Sequence, residues 1–345
     1  MLRDLAANTG GFAVNSTNAP EGDVPAILRE NQSYYLLGFE PVPATDGRLR
    51  KVDVKVNRPG VEVRARRGYY PSAPEASATG SARFTTEALF AAPLPARDLP
   101  LQIAAAPFAG SAGSMPAVAI AVSIAEPGVA WSAVDTLQIE VRSFDENGQQ
   151  ESAVRETSRW ESHPAGAGER QGLVFARMPL PPGYHELRAV VRSAQLNKSG
   201  SVFADVDVPD FVKNPLSLSG VVIHAEPALG NLGTAPIAGL VAAVPTTQRE
   251  FTRASHVSAL LTIYQGARGA LQPVTLATRI LNDRDALVDT TSERLPIERF
   301  DNKAREAPWS HDLPIDRLAP GDYLATFEAV MGKQVVHRDV QFHVR

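Results

Sequence analysis

Leu180-Pro181-Pro182-Gly183-Tyr184-His185-Glu186-Leu187-Arg188-Ala189-Val190-Val191 returns in outline as Leu318-Ala319-Pro320-Gly321-Asp322-Tyr323-Leu324-Ala325-Thr326-Phe327-Glu328-Ala329. In each copy a Pro-Gly pair precedes a run that alternates with period two, the pattern of a tight corner feeding a long strand. Gly183 and Gly321 are offset by 138 positions. A second pair repeats at nearly that spacing: Arg142-Ser143-Phe144-Asp145-Glu146-Asn147-Gly148 lines up with Arg279-Ile280-Leu281-Asn282-Asp283-Arg284-Asp285 at an offset of 137, again strand then turn. The reading is of two β-sandwiches of similar build, one after the other.

The corner also sets a register. At the offset of 138 the residue opposite Tyr323 is His185, so His185, Leu187, Ala189 and Val191 are expected to face inward against Tyr323, Ala325, Phe327 and Ala329. A slip by one residue would make Tyr184 the corner residue and turn Glu186 and Arg188 into the core, which is costly. Gly183, His185, Gly321 and Tyr323 are therefore read as structural corner residues. A corner Tyr hydrogen-bonds back to the backbone while its ring fills the core edge.

Outward from the corners, sandwich 1 is expected over 99–211, with strands at Leu101-Gln102-Ile103, Ala117 to Ile124, Leu137 to Val141, Leu173 to Phe175 and Val202 to Val208. Sandwich 2 is expected over 212–345, with strands at Leu216 to Ile223, Val257 to Tyr264, Val274 to Leu281, the corner strand from Tyr323, and Val335 to Val344. Turn signals every ten or so residues and the corner Tyr suggest an immunoglobulin-like or fibronectin-like arrangement. Pro209 to Pro215 is a hinge short enough to leave the neighbouring domains docked. Residues 72–98 read as a linker rich in Ala, Ser, Pro and Gly, with Thr85 to Phe90 read as one or two helical turns or a tether.

Composition fits such a chain. Its 345 residues allow two or three cores, and 44% hydrophobic with 21% charged residues is ordinary for a folded protein. A net charge of −4 and a pI near 6.0 argue against a nucleic-acid surface. No apolar run approaches the roughly 20 residues that span a bilayer. Cysteine is absent, which excludes disulfides, thiolate catalysis and Cys-based zinc sites.

Residues 1–71 alternate helix and strand. Leu5-Ala6 with Thr9-Gly10-Gly11-Phe12, then Tyr34-Tyr35-Leu36-Leu37-Gly38-Phe39, then Arg64-Ala65-Arg66-Arg67-Gly68-Tyr69-Tyr70 resemble the carboxyl end of the von Willebrand factor A-related domain of secreted acidobacterial proteins. The resemblance covers about 70 of the 345 residues. It implies a doubly wound α/β sheet and an extracytoplasmic location. The family's ion site lies on an Asp-x-Ser-x-Ser loop, which does not occur here, so no metal-binding residue is carried over. The expected fold class is therefore mainly β: a truncated α/β remnant, then two antiparallel sandwiches. No signal peptide is visible, and the expectation is a truncated or mis-started reading frame, with a decayed domain as the alternative.

The search for chemistry yields no catalytic constellation. His337, Asp339, Gln341 and His343 share one strand face, but His337 and His343 are roughly 20 Å apart along a strand and cannot share an ion; a polar solvent face is expected. His185-Glu186-Leu187-Arg188 lacks the second His of a metalloprotease helix, since Ala189 stands there. Asp283, Asp285 and Asp289, and Asp145, Glu146 and Asn147 in the matching turn, raise a calcium site, but the spacing matches no calcium loop and turns favour Asp and Asn anyway. Gly110-Ser111-Ala112-Gly113-Ser114 lacks the Lys of a phosphate loop, and no Gly-x-Ser-x-Gly occurs. Weak binding candidates remain: Trp160, which would stack on a sugar or protein if exposed, and the basic patch Arg64, Arg66 and Arg67.

No cofactor is expected. The resulting expectation is a non-enzymatic extracytoplasmic protein acting in adhesion, protein interaction or spacing, with a protein as its partner. The alternatives are accessory polysaccharide-binding modules of a larger secreted enzyme, or a calcium-dependent binding module.

Overall fold

The computed structural model describes residues 50–52, 54–56, 68–69, 85–92, 94–111, 114–126, 134–145, 148–161, 170–194, 197–226, 237–266 and 269–345. The chain divides into two compact units, Met1–Arg83 and Phe84–Arg345. In the first, β1 (Arg50–Lys51) runs antiparallel to β2 (Gly68–Tyr69), with Arg50 opposite Tyr69. The Pro59-Gly60 pair, and the Thr9–Phe12 and Tyr34–Phe39 motifs of the family resemblance, lie outside the described residues.

The second unit opens with α1 (Thr86–Ala91), whose N-cap Thr85 accepts a hydrogen bond from the Ala88 N–H at 3.2 Å. Seven strands follow: β3 (Leu101–Phe108), β4 (Ala117–Glu126), β5 (Val134–Phe144), β6 (Gln150–Glu161), β7 (Arg170–Pro179), β8 (Gly183–Ser193) and β9 (Lys198–Val208). They form two antiparallel sheets ordered β3-β4-β7 and β6-β5-β8-β9. Sandwich 2 contains β10 (Ser217–Leu218), β11 (Val222–Glu226), β12 (Glu250–Phe251), β13 (His256–Tyr264), β14 (Val274–Asn282), β15 (Leu287–Leu295), β16 (Glu306–Leu313), β17 (Gly321–Met331) and β18 (Gln334–Val344). There β13 holds β16 on one edge and β10 and β11 in succession on the other, while the second sheet runs β12-β18-β17-β14-β15. With β10 and β11 standing for β3, the strand order of the first sandwich is repeated; β12 is an addition, pairing parallel to β18.

Alternation explains both cores. Val118, Ile120, Val122 and Ile124 of β4 face Leu137, Ile139 and Val141 of β5 and Leu187, Ala189 and Val191 of β8. In sandwich 2 Val257, Ala259, Leu261 and Ile263 of β13 meet Leu276 and Ile280 of β14 and Ala325, Phe327 and Ala329 of β17. The repeat reaches into the irregularities. Each copy has a β-bulge at the same place, at Ser143/Phe144 and at Ile280/Leu281, which re-aims the strand into the hairpin.

The outward face of β3-β4-β7 is also apolar, and it is made of small residues. Ala104, Ala106, Ala119 and Ala121, flanked by Phe108 and Phe175, pack against Val222, Leu260 and the Ile237–Val244 segment of sandwich 2. Small side chains let the backbones meet. The Gly220 N–H donates to the Pro107 carbonyl at 2.8 Å, and a methyl group at Gly220 would lie 2.5 Å from the Ala106 Cα. β4 is thus buried on both faces, the reason its sequence is an almost unbroken apolar run. Both sandwiches belong to one compact unit.

The segment read as linker folds, in its second half, onto sandwich 1. Leu89 and Phe90 of α1 bury against Val190 and Phe144 on the outer face of β6-β5-β8-β9, each side chain worth about 2 kcal/mol of apolar burial. Beyond α1 the chain follows β9, with Ser201 N–H donating to the Ala96 carbonyl at 3.0 Å and Leu99 N–H to the Ser199 carbonyl at 3.2 Å. Among the described residues no helix is long and apolar enough to cross a membrane.

Candidate functional site

The two corners have the same construction with different side chains. Gly183 and Gly321 have φ of 136° and 156°, values that L-residues rarely adopt, so each bend requires glycine. Two residues on, Tyr323 is buried and its hydroxyl donates to the Ala319 carbonyl at 2.8 Å. His185 takes that position in sandwich 1 at 2% exposure, with Nε2 2.9 Å from the Pro181 carbonyl and Nδ1 2.6 Å from Glu151 Oε2. The ring thus bridges a carboxylate of β6 and the backbone carbonyl at the start of its own corner. Tyr184 faces outward, 49% exposed, and its hydroxyl donates to Asp205 Oδ1. These four residues hold turns.

On β18, His337 Nε2 lies 3.9 Å from Asp339 Oδ2, while His343 binds Asp322 at the far end of the strand, Nδ1 to Oδ1 2.8 Å. Among the described residues no group of three or more His, Asp or Glu side chains converges as a metal site. The hairpin side chains cap their own turns: Asp145 Oδ1 accepts from Gln149 N–H at 2.7 Å, and Asn282 Oδ1 accepts from Ala286 N–H at 3.0 Å. Gly148 and Asp285, at equivalent positions, both have positive φ. This is local turn chemistry that asks for no cation. Trp160 lies on β6 opposite Asp135, and its side chain falls outside the described residues, as do Arg64, Arg66 and Arg67.

The concave site of this unit lies beside the seam and is assembled from segments that the sequence keeps far apart. β13 turns Ala259, Leu261 and Ile263 into its own core and therefore presents Leu260, Thr262 and Tyr264 outward. β16, paired to it with Tyr264 opposite Glu306 and Thr262 opposite Pro308, presents Glu306 and Pro308 on the same outer face. One wall comes from Phe108 and Ala109 of sandwich 1 and the other from Gly239–Ala242, enclosing a cleft of about 330 Å³. The Tyr264 ring is wedged edge-on against Phe211 at 4.8 Å. Its phenol is pushed up by burial and by the charge of Glu306, so Tyr264 stays a neutral hydrogen-bonding group at any ordinary pH.

Glu306 is the charged group of this cleft. Its carboxyl is raised by burial, with the Asp301 charge adding to the effect. The neighbouring cation does not help: Arg305 Nε donates instead to the carbonyls of Gln265 and Gly266, at 3.1 and 2.9 Å. Asp301 is satisfied by Lys303 and Ala304 N–H groups at 2.8 and 2.6 Å. The Glu306 backbone carbonyl accepts from Asp301 N–H at 2.9 Å, but its carboxylate has no hydrogen-bond or ion-pair partner among the described residues. An apolar concavity holding a partly desolvated carboxylate with no partner among the described residues is a candidate binding site. Sequence reading missed it because β16 carries no period-two signal strong enough to be read as a strand.

No family model matches the chain, and no curated relative does. Among solved structures it is similar to a glycosyl hydrolase family 2 member from Bacteroides cellulosilyticus, 10% identical over 66% of this chain and 27% of that one, TM-score 0.26. Dimeric latent PorU from Porphyromonas gingivalis is 13% identical over 72% of this chain and 20% of that one, TM-score 0.26. A beta-glucuronidase from Bacteroides uniformis is 8% identical over 65% and 26%, TM-score 0.23. The chain spans between a fifth and about a quarter of these proteins, and overlaps this loose bear on neither fold nor function.

Proposed function

We propose that Phe84–Arg345 is a non-catalytic binding module: two fibronectin-like sandwiches locked into one body, presenting the cleft beside their seam, in an extracytoplasmic protein that works in adhesion or protein interaction. The observation that carries this is the apolar seam of Ala104, Ala106, Ala119 and Ala121 against Val222 and Leu260. Burying both outer faces fixes the angle between the sandwiches, and a fixed angle is what lets Phe108 of one and Glu306 of the other line a single cleft. The extracytoplasmic location rests on the resemblance of residues 1–71 to the von Willebrand factor A-related domain. A polysaccharide-binding role is less well supported, since sugar stacking needs a broadly exposed ring and the cleft's own rings, Phe108, Tyr264 and Trp309, are buried.

The absence of cysteine makes the test direct. Gln149→Cys and Lys333→Cys, one exposed position in each sandwich, take a pair of spin labels. One narrow distance distribution is expected, and a broad one would show two swinging domains with no shared cleft.

A further inference from the structure

We propose that the cleft takes a small apolar cation, a primary amine on an aromatic or branched aliphatic body, with its ammonium against Glu306 and its body between Leu260, Pro308 and Phe108. The inference rests on the reading of Phe84–Arg345 as a binding module and adds the ligand's chemical class.

Size, lining and charge converge on that class. A cleft of about 330 Å³ lies at the small end of sites for compact ligands, about 300 to 1,000 Å³. Its floor and walls are mainly apolar, so a ligand without an apolar body would forgo the burial on offer. Its polar groups gather on one side, where Tyr264 stands directly across the strand pair from Glu306 and Thr262 lies two residues along the same face. Among the described residues no Lys or Arg lines the cleft. The Arg249 guanidinium belongs to a separate narrow gap along the seam, where it donates to the carbonyls of Thr246 and Gln248 at 3.2 and 2.8 Å. The cleft therefore has a negative end and no positive one. A carboxylate ligand would meet like charge from Glu306 and Asp301; a neutral one would leave Glu306 desolvated without a partner, which is costly. An ammonium supplies three donors to a carboxylate that has none.

The test uses the full chain and three probes that share a phenylethyl body: phenethylamine, phenethyl alcohol and phenylacetate, titrated by calorimetry. Phenethylamine is expected to saturate a single site and to bind about tenfold tighter than the alcohol, the size of one charge-assisted hydrogen bond, with phenylacetate weakest. Glu306→Gln keeps the shape, and in it the amine's advantage over the alcohol is expected to vanish. Leu260→Ala is expected to weaken amine and alcohol alike, which locates the apolar body. Equal affinity of amine and alcohol, an amine preference that survives Glu306→Gln, or no saturation by the amine would each overturn the proposal. Should the spin-label distance stay narrow in that case, the ligand class falls and the rigid module stands.

Discussion

Arg142, in the four-stranded sheet of sandwich 1, and Arg279, in the five-stranded sheet of sandwich 2, stand at equivalent points, on the outer face of the strand that leads into the bulge and hairpin. Arg142 is buried beneath α1: it pairs bidentately with Glu87 at 2.6 and 2.8 Å, donates to Glu140 at 2.7 Å and lies 4.0 Å over the Phe90 ring. Next to it Arg188 stacks between Phe144 and Phe203, binds Glu186 and caps carbonyls at the end of α1. Among the described residues Arg279 has only Glu328, at 2.9 Å, and the residues around it on this face are Thr290, Thr326 and Ala277. One fold has thus met the same exposed sheet face in two ways. Sandwich 1 carries Arg and Phe there and needs a strap to cover them; sandwich 2 carries Thr, Ala and Glu and stays open to water. The corners differ likewise, a neutral phenol in sandwich 2 against an imidazole bound to a carboxylate in sandwich 1.

The corner should give the largest effect. His185→Ala strips both the Glu151 carboxylate and the Pro181 carbonyl of their partner and opens a void, for an expected loss of about 3 kcal/mol in urea unfolding. A loss no greater than that of Tyr323→Phe, which removes a single hydrogen bond and is expected to cost about 1 kcal/mol, would mean the two corners are energetically alike. Between these lies the strap. Arg142→Ala should lose about 2 kcal/mol and free α1, raising hydrogen exchange at Ala88 to Ala91, because Glu140 loses one of its two cations in a partly buried place. Its counterpart Arg279→Ala is expected within about 0.5 kcal/mol of wild type, as for other exposed pairs. If the two arginines prove equivalent, the contrast between the faces is only geometric.

Acid should produce the smallest and most local change. Hydrogen bonds from Arg142 hold the Glu87 carboxyl below its ordinary value of 4.5. Glu140 is held low as well: burial pushes its carboxyl up, and hydrogen bonds from Arg155 and Arg142 outweigh it. A carboxyl depressed in the folded state contributes stability above its unfolded value and loses it as pH falls through the folded one. The strap is therefore expected to stay closed at neutral pH and to loosen once the pH drops below about 4.5, visible as faster exchange in α1 while β4 and β8 stay protected. Glu87→Gln should already show the loosened strap at neutral pH.

The parts of this fold legible in the sequence were those whose side chains alternate between an apolar and a polar face. β8 and β17, with their Pro-Gly corners, were read with register, since only one register keeps Glu186 and Arg188 out of the core. β6, β12, β15 and β16 are not legible in the sequence. β6 and β15 are edge strands, and β15 is exposed along most of its length, so Leu287-Val288-Asp289-Thr290-Thr291-Ser292-Glu293 shows no buried face to betray it. Pro308 and Trp309 interrupt the pattern of β16, an edge strand where proline is tolerated. The cleft was illegible for a related reason. Phe108, Leu240, Leu260 and Glu306 meet only because two sandwiches dock, and docking is written in the alanines of β3 and β4, of which Ala104 and Ala106 lie beyond the stretch 101–103 read as strand.

Those alanines have a consequence for anyone who treats the chain as detachable parts. Cutting the chain at Pro209–Pro215 would bare a sticky plate on each half, with Phe108 and Phe175 on one and Val222 and Leu260 on the other, and the isolated pieces should clump or re-pair when mixed. Grafting one half onto a foreign scaffold would demand repainting that plate with hydrophilic side chains first.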